Sequence, residues 1–274
     1  MNKKRMIHLD YNLQMEVPTL FLLLSFAEIT AAAFKICAFN IKSFGEAKAS
    51  NKKVMSSLVK ILSRCDISVI QEVRDSKGEA IPALVKELNR ADVVEVIDSY
   101  QYVEDHPDHP EVFAREPFTV RFHSPKTAIK DFVLISHHTC PRDAAREINK
   151  LLLVMLEVKS RWKIENVMLL GDLNASCGYV TVDEWKEIQR RSANRFHWLI
   201  GDKDDTTVSQ KTHCAYDRIV VHGEEFFKAI VPATAKPYNF KKKLGLSEEE
   251  ALEVSDHFPV EVNLRTDPRM DREL

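Results

Sequence analysis

Residues 167–180 read VMLLGDLNASCGYV. The apolar run from Val167 to Leu170 breaks at Gly171 into Asp172 and Asn174. That spacing puts a carboxylate and a carboxamide on one side of the chain, at the end of a rigid element. The pattern recurs. Asn40 closes the apolar run FKICAFN, Glu72 closes VIQEV, and His138 ends VLISHH. Asp217 opens DRIVV, and Asp256–His257 precede FPVEV. One such residue is ordinarily a cap or a turn former. Together they offer hard oxygen ligands, amide donors and two imidazoles, a set suited to phosphodiester hydrolysis. A carboxylate such as Glu72 can hold Mg²⁺ against a phosphate. One histidine can take a proton from water and a second can protonate the leaving oxygen. A neighbouring carboxylate fixes an imidazole's tautomer, and Asn donors stabilise charge without adding any. With only 7 glycines in the chain, no Gly-rich phosphate loop is present.

The elements that must position these residues are short apolar strands interleaved with helices. FKICAFNI (34–41) and ISVIQEV (67–73) are expected to be strands buried on both faces. Between them, Val54, Leu58, Ile61 and Leu62 are spaced for a helix over 51–64, and another helix starts near Pro82. Further strands are expected at 93–103, 117–122, 131–138, 167–172, 216–222, 227–231 and 258–264, with helices over 143–162 and 247–254. Strands outnumber helices and do not alternate strictly with them. This favours two packed sheets with helices outside, with functional residues where strand ends of both sheets meet.

The chain of 274 residues is 45% hydrophobic and 29% charged, enough for a sizeable core and a soluble surface. Its net charge of -2 excludes a generally polyanion-seeking protein, so any nucleic-acid partner needs a local positive field or a bound metal. Residues 1–33 read as a signal peptide: Lys3, Lys4 and Arg5 are followed by an apolar Leu20–Phe26 stretch and by Ala31–Ala33. That stretch is far shorter than the ~20 residues of a membrane span. Residues 34–265 are taken as one domain and 266–274 as a tail. Of the five cysteines, none forms a CxxC pair, which argues against a closed zinc site. Cys37 and Cys65 have apolar neighbours and are expected to be core thiols.

QEVRDS (71–76), GDLNASCGYV (171–180), THCAYDRIVV (212–221) and SDHFPVEV (255–262) together resemble the deoxyribonuclease I family of the endonuclease/exonuclease/phosphatase superfamily. FAREPF (113–118) and EEEAL (248–252) look more like its secreted paralogues. The resemblance implies an α/β (α+β) four-layer sandwich, two packed mixed β-sheets flanked by helices. It also implies a secreted endonuclease, exported through the endoplasmic reticulum, that cuts double-stranded DNA to 5′-phosphate ends with Mg²⁺ and Ca²⁺. Glu72 and Asn40, with Asp256 beside them, match the magnesium side. His138 and His257 match the catalytic histidines, Asp217 the partner of His257, and Asp172 and Asn174 the pair at the scissile phosphate. Arg74, Arg115 and Tyr179 match DNA contacts, and Cys177–Cys214 the structural disulfide. Asp202, Asp205, Thr207 and Thr212 fall in the matching calcium loop, with Glu111 and Glu116 as a second calcium candidate.

The chain departs from the family after Arg90, where members carry a further segment on the order of thirty residues, enough for two strands. The resemblance assigns to that segment the Glu that partners the first catalytic histidine, and most of the actin-binding surface. Its absence argues against actin binding and leaves His138 without its orienting acid. It also leaves a sheet edge unpaired. A monomer is expected. Two rival readings follow: an activity-impaired or non-catalytic DNA-binding form, and another phosphodiesterase or phosphatase of the superfamily. His137 is expected to face away from His138, on the opposite side of the strand.

Overall fold

A computed structural model describes residues 19–23, 33–88, 94–104, 112–193 and 195–267. One sheet has the order β1-β3-β2-β11-β10, built from β1 (Thr19–Leu23), β3 (Ile67–Val73), β2 (Phe34–Phe44), β11 (Val260–Leu264) and β10 (Lys236–Pro237). Within it β2 and β3 run parallel, while β1, β11 and β10 pair antiparallel with their neighbours. The second sheet has the order β4-β5-β6-β7-β9-β8, built from β4 (Glu95–Gln101), β5 (Phe118–His123), β6 (Asp131–Ser136), β7 (Val167–Asp172), β9 (Asp217–His222) and β8 (Phe196–Trp198). Only β6 and β7 pair parallel there. Both sheets are mixed, as expected.

Strand alternation divides the apolar residues among three cores. Ile36, Ala38, Ile67 and Val69 from the first sheet meet Phe122, Leu134, Met168, Leu170 and Ile219 from the second, forming the layer between the sheets. The outward residues Phe39, Ile41 and Ile70 pack under α2 (Lys52–Leu62), α3 (Ala80–Leu88) and α8 (Glu248–Val254). On the far side, Val133, Ile135, Val167 and Leu169 pack under α4 (Ala144–Trp162) and α5 (Val182–Ser192). The result is the helix–sheet–sheet–helix order of a four-layer sandwich. Short helices α1 (Glu46–Ser50), α6 (Glu224–Ala229) and α7 (Phe240–Leu244) fill the connections. No helix among the described residues is long and apolar enough to cross a membrane.

Two expectations are corrected. Residues 227–231 do not form a strand: Glu224–Ala229 is helical, with Gly223 as N-cap and two acids in its first turn, and only Ile230 makes an isolated bridge, to Leu264. Cys37 and Cys65 are not thiols but a disulfide, which ties β2 to the turn before β3. The Cys177–Cys214 disulfide forms as the resemblance implied, and Cys140 is free.

Of the expected leader, residues 19–23 are described as the edge strand β1, paired with β3 from Thr19↔Gln71 to Leu23↔Ile67. They cover the outer edge of β3. The rest of residues 1–32, the junction at 89–93, Glu111 and the tail from 268 lie outside the described residues.

Candidate active site at the strand ends

The alternation that builds the inner core also builds the site. On β2 the inward series runs Ile36, Ala38, Asn40; on β3 it runs Ile67, Val69, Gln71; on β7, Met168, Leu170, Asp172. On β9 it runs backwards through Val221 and Ile219 to Asp217, and past the end of β6 it reaches His138. Each strand contributes apolar side chains between the sheets and one polar group at the same rim. Asn40 lies beside Gln71 in register, and Asp172 beside Asp217.

Asp172, 2% exposed, is the point of convergence. Its Oδ2 accepts from Asn40 Nδ2 at 3.0 Å and lies 3.4 Å from His138 Nε2 and 3.6 Å from His257 Nε2. Its Oδ1 accepts from the Asn174 amide N–H at 3.0 Å. Burial alone would raise this carboxyl. The two imidazoles, with Asn174 and Asn40, overcome that and hold it below the usual carboxylate range.

The two histidines are held differently. His257 Nδ1 sits 2.7 Å from Asp217 Oδ2. Burial opposes its protonation, yet Asp217 and Asp172 together push its pKa up to about 10. His138 is held below the ordinary histidine value because burial outweighs the pull of Asp172. The resting site therefore presents one imidazolium and one neutral imidazole, poised as donor and acceptor. Among the described residues, the only carboxylate paired with His138 is Asp172, at Nε2. No described acid sits at its Nδ1.

Glu72 should point outward by alternation, but its φ of +59° turns the carboxylate inward. There Oε1 accepts from Asn40 Nδ2 at 2.9 Å and Oε2 from the Ser43 amide at 3.1 Å. Lys42, Ser43 and Asn174 also take left-handed φ values, so backbone strain gathers at this rim. The carboxylates of Glu72 and Asp172 are bridged by Asn40 Nδ2, whose Oδ1 accepts from the Lys42 amide at 2.9 Å, so the two acids bring together oxygens of the type hard divalent cations take. Asp172, Asp217 and His257 can also bring one ligand atom each within 4.8 Å of one another, and Asp217 Oδ1 is buried with no hydrogen-bond partner. The Glu72 and Asp172 oxygens suit a hard divalent cation, whereas protonated His257 has no lone pair to offer one.

Other expected residues fall at varying distances from this centre. Asp256 is ion-paired with Lys42 at 2.8 Å rather than with the Asp172 group. Asn174 donates from Nδ2 to Thr139 O at 3.1 Å. Arg74 and Tyr179 are exposed, and Tyr179 leans on Tyr216, which in turn faces His257 at 6.0 Å between ring centroids. Arg115 is partly committed within the protein, donating to His138 O at 2.9 Å and Thr139 O at 3.2 Å. Thr207 Oγ1 lies 2.6 Å from both Asp205 Oδ1 and Thr212 O, so three of the expected calcium-loop groups do converge. Asp205 also meets His213 Nδ1 at 3.0 Å. Asp202 is separate, bonded to Arg218 and Trp185. Half-buried Glu116 offers its carbonyl to Gln101.

Sequence reasoning passed over several supporting residues. Gln71 donates to His137 O and accepts from the Asp172 amide at 2.9 Å, bridging the sheets. Lys48, its pKa lowered to about 8 by burial, donates to Ile41 O at 2.6 Å and Val254 O at 2.8 Å. Ser255 Oγ donates to Asn40 O at 2.6 Å and accepts from the His257 amide at 3.1 Å. Gln71 stands beside Glu72 in the quoted motif, a signal that was available. Ser255 likewise opens the quoted SDHFPVEV, whereas Lys48 carried no such signal.

Comparison with known proteins identifies the family and the fold. The profile of the endonuclease/exonuclease/phosphatase family matches residues 37–257. Human deoxyribonuclease gamma is 43% identical over 279 residues, covering 91% of each chain. Pig deoxyribonuclease-1 is 45% identical over 264 residues, covering 86% of this chain and 93% of its own. Among solved structures, an endonuclease/exonuclease/phosphatase protein from Bacteroides vulgatus superposes with a TM-score of 0.58 at 15% identity, covering 86% of this chain and 100% of its own. The catalytic domain of human Nocturnin gives 0.56 at 14% identity, covering 91% and 98%. These two share the fold.

Proposed function

The chain belongs to the endonuclease/exonuclease/phosphatase family, in its deoxyribonuclease I branch, and from that premise we propose that it is a secreted, divalent-metal-dependent endonuclease of double-stranded DNA. The observation that carries the reading is the Asp172 carboxylate, whose single oxygen is reached by Asn40, His138 and His257 from both sheets. Glu72 and Asp172 are the residues to hold Mg²⁺, with Asn40 donating to both carboxylates. Bound there, the ion neutralises charge on the phosphate.

In the resting site neutral His138 is the group to accept a proton from water, and protonated His257 the group to give one up. Water's oxygen bonds to phosphorus as the bond to the 3′-oxygen breaks. One proton leaves the water and another reaches the 3′-oxygen, so a 5′-phosphate end results. Asp217 keeps His257 in the required tautomer and charge. Exposed Arg74 and Tyr179 are the residues to meet backbone phosphate and sugar, contacts that would carry little base preference. Asp205, Thr207 and Thr212 are the group for Ca²⁺. The two disulfides and the 1–33 leader fit export to an oxidising compartment.

The test is nicking of supercoiled plasmid with Mg²⁺ and Ca²⁺, abolished by EDTA and by His257→Ala. A second reading, a DNA-binding form with impaired chemistry, is favoured by one observation: no described carboxylate at His138 Nδ1. Intact plasmid at high concentration of folded protein, with DNA still retained, would establish that reading. Release of phosphate from small monoesters without nicking would point to the phosphatase alternative.

A further inference from the structure

The neighbour of His138 carries the acid that His138 lacks. Alternation turns His137 to the far face of β6, where its Nε2 meets Glu147 Oε2 at 2.8 Å under α4. Both side chains are shut off from solvent, His137 at 1% and Glu147 at 0% exposure. Burial holds the imidazole below its ordinary pKa even against the raising effect of Glu147, so it is neutral and Nε2–H donates. Removing two such groups from water is costly unless the geometry repays it. Such a pair calls for a reason.

Its connections supply one. Glu147 Oε1 accepts from the Ala114 amide at 3.2 Å, and Oε2 also accepts from the Cys140 amide at 3.2 Å. A single buried carboxylate therefore holds the FAREPF stretch, the end of β6 and the loop beyond it. The residue after Ala114 is Arg115, whose guanidinium grips His138 O and Thr139 O. Asn174 grips Thr139 O as well. From the other sheet, Gln71 holds His137 O and the Asp172 amide together. The Phe113 ring closes edge-on against His137 at 5.0 Å. Every residue from 137 to 140 is thus fixed by Glu147, Arg115, Gln71 or Asn174.

We infer that His137 and Glu147 are positioning residues for His138: they fix its main chain from behind, so that its ring presents Nε2 to Asp172 without a carboxylate at Nδ1. His257 is oriented through its own side chain by Asp217, whereas His138 is oriented through its backbone. A misplacement of about 1 Å in a reacting group can lower the rate on the order of a hundredfold, which gives the pair its leverage.

The inference rests on the nuclease reading for its kinetic arm alone. Two polar substitutions separate the roles. His137→Gln places an amide nitrogen where Nε2 now donates to Glu147, while His137→Asn is too short to reach it. The expected result is that His137→Gln stays within about threefold of wild type, and that His137→Asn loses about ten- to a hundredfold in kcat for plasmid nicking with KM changed less than about twofold. The His138 imidazole ¹⁵N resonances should shift in His137→Asn and stay in place in His137→Gln. A purely structural pair would lower Tm in His137→Asn while leaving kcat well below Tm and the His138 resonances unchanged; that result overturns the inference. If wild-type protein fails to nick DNA, the nuclease reading falls, and the resonance arm still decides the positioning role.

Discussion

Replacing Asp217 by Asn tests the central electrostatic claim. The substitution keeps the side-chain shape at a fully buried position but removes the charge 2.7 Å from His257 Nδ1. His257 rises from 6.5 to about 10, and at 1.36 kcal/mol per pH unit this is about 5 kcal/mol of preference for the imidazolium. Two carboxylates share that preference. Asp217 is the nearer and the hydrogen-bonded one, while Asp172 stands at 3.6 Å, so most of it should vanish with Asp217. The amide offers Nδ1 an uncharged acceptor at one end and a competing NH₂ donor at the other, so the ring is no longer held in one tautomer. Loss of such a partner lowers the rate by about 10²–10⁴. Nicking kinetics with Mg²⁺ and Ca²⁺ should show that loss in kcat, and an NMR titration should place His257 back near the ordinary histidine range. A variant with kcat within threefold of wild type, or with His257 still protonated at pH 9, would refute the reasoning.

Glu72→Gln should raise the Mg²⁺ concentration for half-maximal nicking by about tenfold or more, read from a metal titration, because its oxygens are already aimed inward by Asn40 and Ser43. Gly171→Ala should destabilise the fold by about 2–4 kcal/mol in urea unfolding. At its φ of +136° a Cβ would meet Gln71 Nε2 at 2.3 Å and His137 O at 2.4 Å. The pH dependence has a definite sign. Because His257 is raised in the folded state, its contribution to stability is full below about pH 6.5 and is lost as pH rises through about 10. Urea midpoints of wild type and His257→Gln should therefore converge across that interval. Replacing Cys177 and Cys214 by serine opens a loop spanning a separation of 37 residues and should lower stability by about 3–4 kcal/mol on the chain-entropy model.

Much of the site could be read from the sequence because it follows from strand parity. Asn40, Asp172 and Asp217 each continue an inward apolar series at i, i+2 spacing, and a buried strand ending in a polar group is visible as a string of letters. Glu72 was found for its type, although its inward aim depends on a left-handed φ that no periodicity encodes. Cys37 and Cys65 were misjudged because apolar neighbours describe a cysteine's surroundings and not its cross-strand partner. Residues 227–231 (FKAIV) form a short apolar run, which periodicity alone cannot divide between strand and helix; Gly223 and the acids at 224 and 225 were the better signal. Glu147 was invisible. Its role comes from meeting Ala114, His137 and Cys140 at once, and nothing in a linear chain announces that.

The antiparallel pairing of Thr19–Leu23 with β3 closes one margin of the first sheet. With that ribbon in place, the outer amides and carbonyls along Ile67–Gln71 are engaged within the chain, and no guest strand can add there. Any cut that removed Thr19–Leu23 would bare that row and open it to strand addition.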